Sequence, residues 1–273
     1  MPQATEPTRG ILRPDAGRSR FELNRRSPAD DLAGHVERHW SVRWDLHDNP
    51  PFTQEILPHP CVNLVAEPGL VAVYGIPLGR SPHTIEGAGI AIGTKFRPGG
   101  FGGFLDRPAS ELNGRTVALG DLFGPHGAQL ARRLADLEDD VDAHIEAVEA
   151  FLRERLPAPD PRYELVRAVA EDMLVADPGT TVAELAERHA VAPRTLQRAF
   201  ADFVGVGPKW VLKRYRMHEA AERIASGETQ DGASLALELG YFDQSHFIRD
   251  FTAQIGVSPS AYERTCAIAA GRD

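Results

Sequence analysis

The stretch PRTLQRAFADFVGVGP (193–208) recurs 51 residues later as QSHFIRDFTAQIGVSP (244–259). Superposing the copies sets Leu196 on Phe247, Arg198 on Arg249, Phe200 on Phe251, Gly205 on Gly256 and Pro208 on Pro259. Upstream, LAERHAV (185–191) pairs with LALELGYF (235–242) once one residue is inserted in the turn. Each copy therefore reads as a short helix, a tight turn and a longer helix, which is a helix-turn-helix unit. In the first copy Leu196, Ala199, Phe200 and Phe203 recur at spacings of three and four and make one buried face. Phe247, Phe251 and Ile255 do the same in the second. Pro193 suits a first helical position, where a missing N–H costs nothing. Asp243 can cap the second long helix by accepting from a free backbone N–H.

The opposite faces are polar. Arg194, Gln197, Arg198 and Ala201 share one, and Ser245, Arg249 and Thr252 share the other. Arg can present two donors to guanine, Gln can pair with adenine, and Ser or Thr serves either base. A helix entering a major groove reads base edges with its N-terminal residues, and 194–198 and 244–249 lie at that end. From Arg188 to Arg216 the chain carries seven basic residues against the single acid Asp202, in a protein whose net charge is −9. A local excess of that kind can neutralise phosphates; Lys209, Lys213 and Arg214 are the candidate phosphate contacts. On a lone helix a solvated basic face is the plainer reading, and the matched second copy argues against it. Between the copies, 208–226 makes one helix of roughly 27 Å. It would fix two reading heads at the separation of successive major-groove segments, about 34 Å.

At this point the segment 162–265 resembles the DNA-binding domain of AraC/XylS-family transcriptional regulators. The resemblance rests on VAELAERHAVAPRTLQRAF, on GVGPKWVLKRYRMHEAAERI and, most specifically, on GYFDQSHFIRDF with GVSPSAY. It implies double-stranded DNA as partner and RNA polymerase as a further one. It also implies base or backbone contacts by Arg194, Thr195, Gln197 and Arg198 in unit one, and by Gln244, Ser245, His246 and Arg249 in unit two. Three positions bear on this. Ala192 stands where the family usually has a Ser cap. Ile248 stands where a polar residue is common, so it either meets a thymine methyl or leaves unit two the weaker reader. His246 either touches a base or hydrogen-bonds within its unit.

The first half has a different texture. HPCVNLVAEP, LVAVYGIP and GIAIGTKFRPGG are Val/Ile-rich segments punctuated by Gly and Pro, which are strand and turn signals. The expected fold is α+β: a small antiparallel β-barrel (cupin-like) with helices, then an all-α domain of two helix-turn-helix units joined by a long helix. The expected divisions are a disordered tail at 1–19, a β-rich regulatory domain at 20–125, a helical linker at 126–161, the DNA-binding domain at 162–265 and a tail at 266–273. The N-terminal half resembles the sensor-type domain of some AraC-like regulators, which implies a small-molecule effector or a regulatory contact; the alternatives are a module for dimerisation only, or a small-molecule-binding or catalytic barrel with a non-essential helical tail. Trp40, Tyr74 and Phe96, with His59 and Asn63 as polar handles, are the candidate ligand-lining residues; filling the core is the alternative for each. The leucine stripe of 129–156 packs either on its own barrel or on a second copy, as a homodimer.

The remaining classes are disfavoured. His59 and His83 are isolated and no His-x-His occurs, so no metal is expected. No Gly-x-Ser-x-Gly is present and no Lys-Ser/Thr follows RPGGFGG (97–103), so neither an enzyme nor a cofactor is expected. Cys61 and Cys266 lie far apart with no Cys-x-x-Cys, which argues against a secreted disulfide framework. With no apolar run long enough to span a bilayer, a cytoplasmic protein with no membrane partner is expected.

Overall fold

The computed structural model describes residues 10–17, 19–228 and 232–271. After a short turn of helix, α1 (Pro14–Gly17), come strands β1 (Glu22–Arg26), β2 (Val36–Asp45), β3 (Phe52–Ile56), β4 (Asn63–Glu67), β5 (Leu70–Tyr74), β6 (Ser81–Ile85), β7 (Ala88–Phe96) and β8 (Thr116–Ala118). Helices α2 (Leu119–Asp136) and α3 (Val141–Arg153) follow. Six strands form one antiparallel sheet in the order β1-β2-β7-β4-β5-β8, and β3 pairs with β6 in a separate ribbon.

Period-two alternation sends neighbouring residues of each strand to opposite faces. Leu64 and Ala66 of β4 join a core with Leu130, Leu134, Val148 and Leu152 of α2 and α3. Val65, between them, joins a second core with Trp44 and Ala91, against which Phe52 and Ile85 of the ribbon pack. The sheet is thus the middle of three layers. This corrects the expected barrel: β1 and β8 end the strand order without pairing to each other among the described residues. Helices cover one face and the ribbon the other, so both apolar faces are buried without closure. The α+β class and the all-helical second half stand as expected.

Leu130, Leu134, Val148 and Leu152 of the linker stripe pack on the protein's own sheet, while Leu137, Val141 and Ile145 are partly exposed. The expected tails also differ where described. Leu12 is buried and Ile11 bridges Ile56, while positions 1–9 and 18 lie outside the described residues. The last helix runs through Cys266, which is buried.

The second half is helical throughout: α4 (Pro161–Val175), α5 (Val182–Arg188), α6 (Pro193–Phe203), α7 (Pro208–Ser226), α8 (Gly232–Glu238), α9 (Gln244–Ile255) and α10 (Pro259–Ala269). Each half has its own core, yet they interlock. Ile76 enters the cluster around Phe200, and Leu12 and Leu57 enter the one around Phe251. The Tyr163 hydroxyl donates to the Gly34 carbonyl at 2.5 Å while its ring stacks on His35. Among the described residues no helix is long and apolar enough to cross a membrane.

Candidate nucleic-acid interface

The two units are built alike. In unit one Thr181 and Glu184 form a reciprocal cap on α5, the Glu184 amide donating to Thr181 Oγ1 at 3.2 Å and the Thr181 amide to Glu184 Oε2 at 2.7 Å. The turn to α6 passes through Ala190 at φ 52° and is closed by the Val191 amide donating to the Ala186 carbonyl at 2.9 Å. In unit two Gly240 takes that place at φ 74°, and the Tyr241 amide donates to the Ala236 carbonyl at 2.9 Å. The turns therefore correspond up to Val191 and Tyr241. The next residue is the N-cap Ala192 in unit one, whereas Phe242 precedes the N-cap Asp243 in unit two. Phe242 is the inserted residue.

Both long helices end on glycine in the left-handed region, Gly205 at φ 94° and Gly256 at φ 89°. This explains the repeated Gly-Val-x-Pro: Gly permits the positive φ without Cβ strain, and Pro starts the next helix. The first half of the protein holds both of these ends. Asn113 Nδ2 donates to the Gly205 carbonyl at 2.7 Å, and the Arg80 guanidinium lies where a Cβ on Gly256 would sit.

The opposite ends are open. Arg194, Thr195, Gln197 and Arg198 are all exposed, as are Gln244, Ser245, His246 and Arg249. Behind them Leu196, Phe200, Phe247 and Phe251 are fully buried. The caps differ. Asp243 accepts from the His246 amide at 2.8 Å, while Ala192 offers α6 no side-chain cap. The His246 ring packs edge-on against Tyr241 at 5.1 Å and sets Nε2 3.5 Å from Asp250, so its contacts lie within the unit. Arg249 Nε leans back on the Ser245 carbonyl at 3.4 Å.

The candidate phosphate contacts divide. Lys209 is exposed. Lys213 is exposed and pairs with Asp250 at 2.7 Å. Arg214 contradicts its expected role: it is 1% exposed, with its guanidinium over the Trp210 ring. Its terminal nitrogens donate to the carbonyls of Pro58 at 3.3 Å and Leu78 at 3.2 Å, and burial pushes its pKa down to about 10. It joins α7 to the first half rather than reaching solvent. One helical turn on, His218 Nε2 donates to the Leu57 carbonyl at 3.0 Å. Arg216 donates to the Thr180 carbonyl at 2.8 Å, and Arg188 pairs with Asp172. The exposed charges of the basic window to which no carboxylate is paired among the described residues are thus Arg194, Arg198 and Lys209, Lys213 being paired with Asp250 and Arg188 with Asp172.

The candidate ligand-lining residues do not converge. Trp40, Asn63 and Tyr74 share the ribbon side of the sheet, where the indole donates to Asn63 Oδ1 at 3.3 Å and lies against Gly93. Phe96 is on the helix side, fully buried and edge-on to Phe101 at 4.8 Å. His59 sits at the seam between the halves, 4.2 Å from the His218 ring. These positions correct the expected single pocket: strand alternation puts Phe96 on the far side of the sheet from Trp40. A cleft of about 250 Å³ opens beside β1, β2 and α3, lined by Trp40 alone of these five, with Arg26 and Arg43. Near it His39 is buried, bonded to Thr94 Oγ1 at 2.9 Å and Glu149 at 3.1 Å, and burial lowers its pKa. No cluster of three or more metal-ligating side chains occurs among the described residues.

Comparison with known proteins falls on the same segments. Residues 185–265 match a family model described as a helix-turn-helix domain, and residues 24–118 match one described as a domain of unknown function, DUF6597. The HTH-type transcriptional regulator Rv1931c of Mycobacterium tuberculosis is 32% identical over 87 residues, covering 32% of this chain and 33% of that protein. A putative AraC-like transcription regulator of Streptomyces lividans is 36% identical over 101 residues, 36% of this chain and 33% of that one. The chain thus aligns with about a third of the length of these relatives. Among solved structures, the C-terminal domain of AraT, a response regulator of Geobacillus stearothermophilus, is 29% identical, with 39% of this chain and 88% of that one covered and a TM-score of 0.36. ToxT of Vibrio cholerae is 10% identical, with 90% and 98% covered and a TM-score of 0.35.

Proposed function

We propose that this chain, which carries an AraC-type helix-turn-helix domain at residues 185–265, is a sequence-specific transcriptional regulator that reads two successive major-groove segments. The observation that carries this reading is the shared polarity of the two units. Each buries its aromatic face, and each leaves the N-terminal tip of its long helix in solvent. In this reading α6 and α9 enter the grooves, with Arg198 and Arg249 as candidate base readers and Lys209 and Lys213 meeting phosphates.

The N-terminal half sets the two units relative to each other, through Arg214 and His218 on α7 and through Asn113 and Arg80 at the two glycine ends. A change in its packing would be felt at both tips, which suits a regulatory domain. An effector, RNA polymerase and a second copy of the chain are the partners this role allows.

The test is a titration of the full chain on a duplex selected from random sequence, at 50 and 200 mM salt. The two phosphate contacts by Lys209 and Lys213 alone would weaken binding roughly tenfold over that range. A scrambled duplex should bind several orders of magnitude more weakly than the selected one at either salt. Binding indifferent to both salt and sequence would refute the proposal.

A further inference from the structure

Resting on that DNA-reading role, we infer that unit two reads thymine by its methyl group, with Phe242 and Ile248 as the apolar contacts. Phe242 is 92% exposed, the highest figure among the large apolar side chains of the described residues. A hydrophobic residue just before an N-cap ordinarily packs against the fourth residue of the helix. Here that residue is Phe247, itself fully buried, and the exposure of Phe242 excludes the packing. Its insertion therefore does nothing visible for the fold. Ile248, five residues into α9, is 38% exposed. Its counterpart in unit one is Gln197, and Phe242 has no counterpart at all.

Two apolar side chains thus flank the polar tip formed by Gln244, Ser245 and Arg249, on the end of the helix that faces the groove. The base edges of the major groove offer donors, acceptors and one apolar group, the 5-methyl of thymine. Continuity with the exposed tip makes that methyl the occupant. Unit one, with Arg194, Gln197 and Arg198, reads by hydrogen bonds; unit two reads more by shape.

The experiment uses the full chain and a duplex recovered by selection from a random-sequence library. Each thymine of the duplex is replaced in turn by deoxyuridine, which removes the methyl and leaves every hydrogen-bonding edge intact. In one half of the site affinity should fall about fourfold per methyl lost, the worth of one buried carbon. F242A should lose the sensitivity at one thymine and I248A at another, and Q197A in unit one should keep both. A selected site without a methyl-sensitive thymine overturns the inference. So does a variant that weakens binding equally to thymine and deoxyuridine duplexes, which would put its side chain on sugar or on a protein partner. Sensitivity that survives in either variant overturns the assignment of that residue. Failure to recover any preferred duplex is a separate result, because it removes the DNA-reading role and this inference with it.

Discussion

Unit one and unit two hang different tips on the same frame. Leu196, Phe200 and Gly205 of the first superpose in role on Phe247, Phe251 and Gly256 of the second. Forward of that frame the helix of unit one starts uncapped on Ala192 and shows Arg194, Thr195, Gln197 and Arg198. The helix of unit two is capped by Asp243, preceded by an inserted Phe242, and shows Ser245 and Ile248, while the exposed His246 ring makes its contacts to Tyr241 and Asp250 of its own unit. Residues that bury are held to one solution by packing, whereas residues that meet solvent are released to differ. A duplicated fold can in this way read two unlike sequences.

The frame can be broken symmetrically. Phe200→Ala and Phe251→Ala each empty a fully buried position and should each cost about 3–5 kcal/mol in denaturant-induced unfolding. Losses that differ by more than about 2 kcal/mol would mean the two frames are not equivalent. Next in size is the contrast on the helix between them. Arg214→Ala leaves the Pro58 and Leu78 carbonyls without their donor and should cost roughly 1–3 kcal/mol of stability while leaving the salt dependence of DNA binding unchanged. Lys209→Ala should do the reverse, lowering the slope of log affinity against log salt by about one with stability intact.

Smaller effects sharpen the difference at the helix starts. Ala192→Ser should stabilise unit one by about 1 kcal/mol by supplying the missing cap, and Asp243→Ala should remove about as much from unit two. Equal and small responses in calorimetry would erase the contrast between the caps. The least effect on either unit is expected from mild acid, which acts on the first half. Burial holds buried His39 below its ordinary 6.5, so the unfolded chain takes up a proton first as pH falls. Burial works against the charge of Glu149, but the Ala29 amide, His39 and Arg153 outweigh it and hold its pKa below 4.5. Both signs agree: stability is full near pH 7 and declines as pH drops below about 6.5, the Glu149 contribution going last. His39→Asn should flatten the upper part of that decline in melting scans across pH.

Much of the helical half was legible because its determinants are local. Spacing of Leu196, Phe200 and Phe203, Pro193 and Pro208 at helix starts and Gly205 and Gly256 at helix ends fix the elements without reference to the rest of the chain. The insertion was legible as one extra residue, but only the paired turn bonds from Val191 and Tyr241 assign it to Phe242. What escaped was non-local. Arg214 sits in a basic run and reads as solvent-facing. Its acceptors come from Pro58 and Leu78, more than a hundred residues away. Trp40 and Phe96 fall on opposite faces because of strand register, with a bulge between Val36 and Arg38 in β2. Barrel closure was expected because Val-rich alternation looks the same whether a sheet curls onto itself or is covered by α2, α3 and a two-stranded ribbon.

The most direct measurement moves the two readers apart. Five base pairs, half a helical turn, are inserted between the half-sites of a selected duplex, and affinity for the full chain is compared with the parent and with a ten-pair insertion. If α6 and α9 read the same face of one duplex from a frame held by α7, the half-turn insertion should reduce binding to that of a single half-site, and the held frame should not regain full affinity at ten pairs. Affinity unchanged by either insertion would contradict two rigidly spaced reading helices.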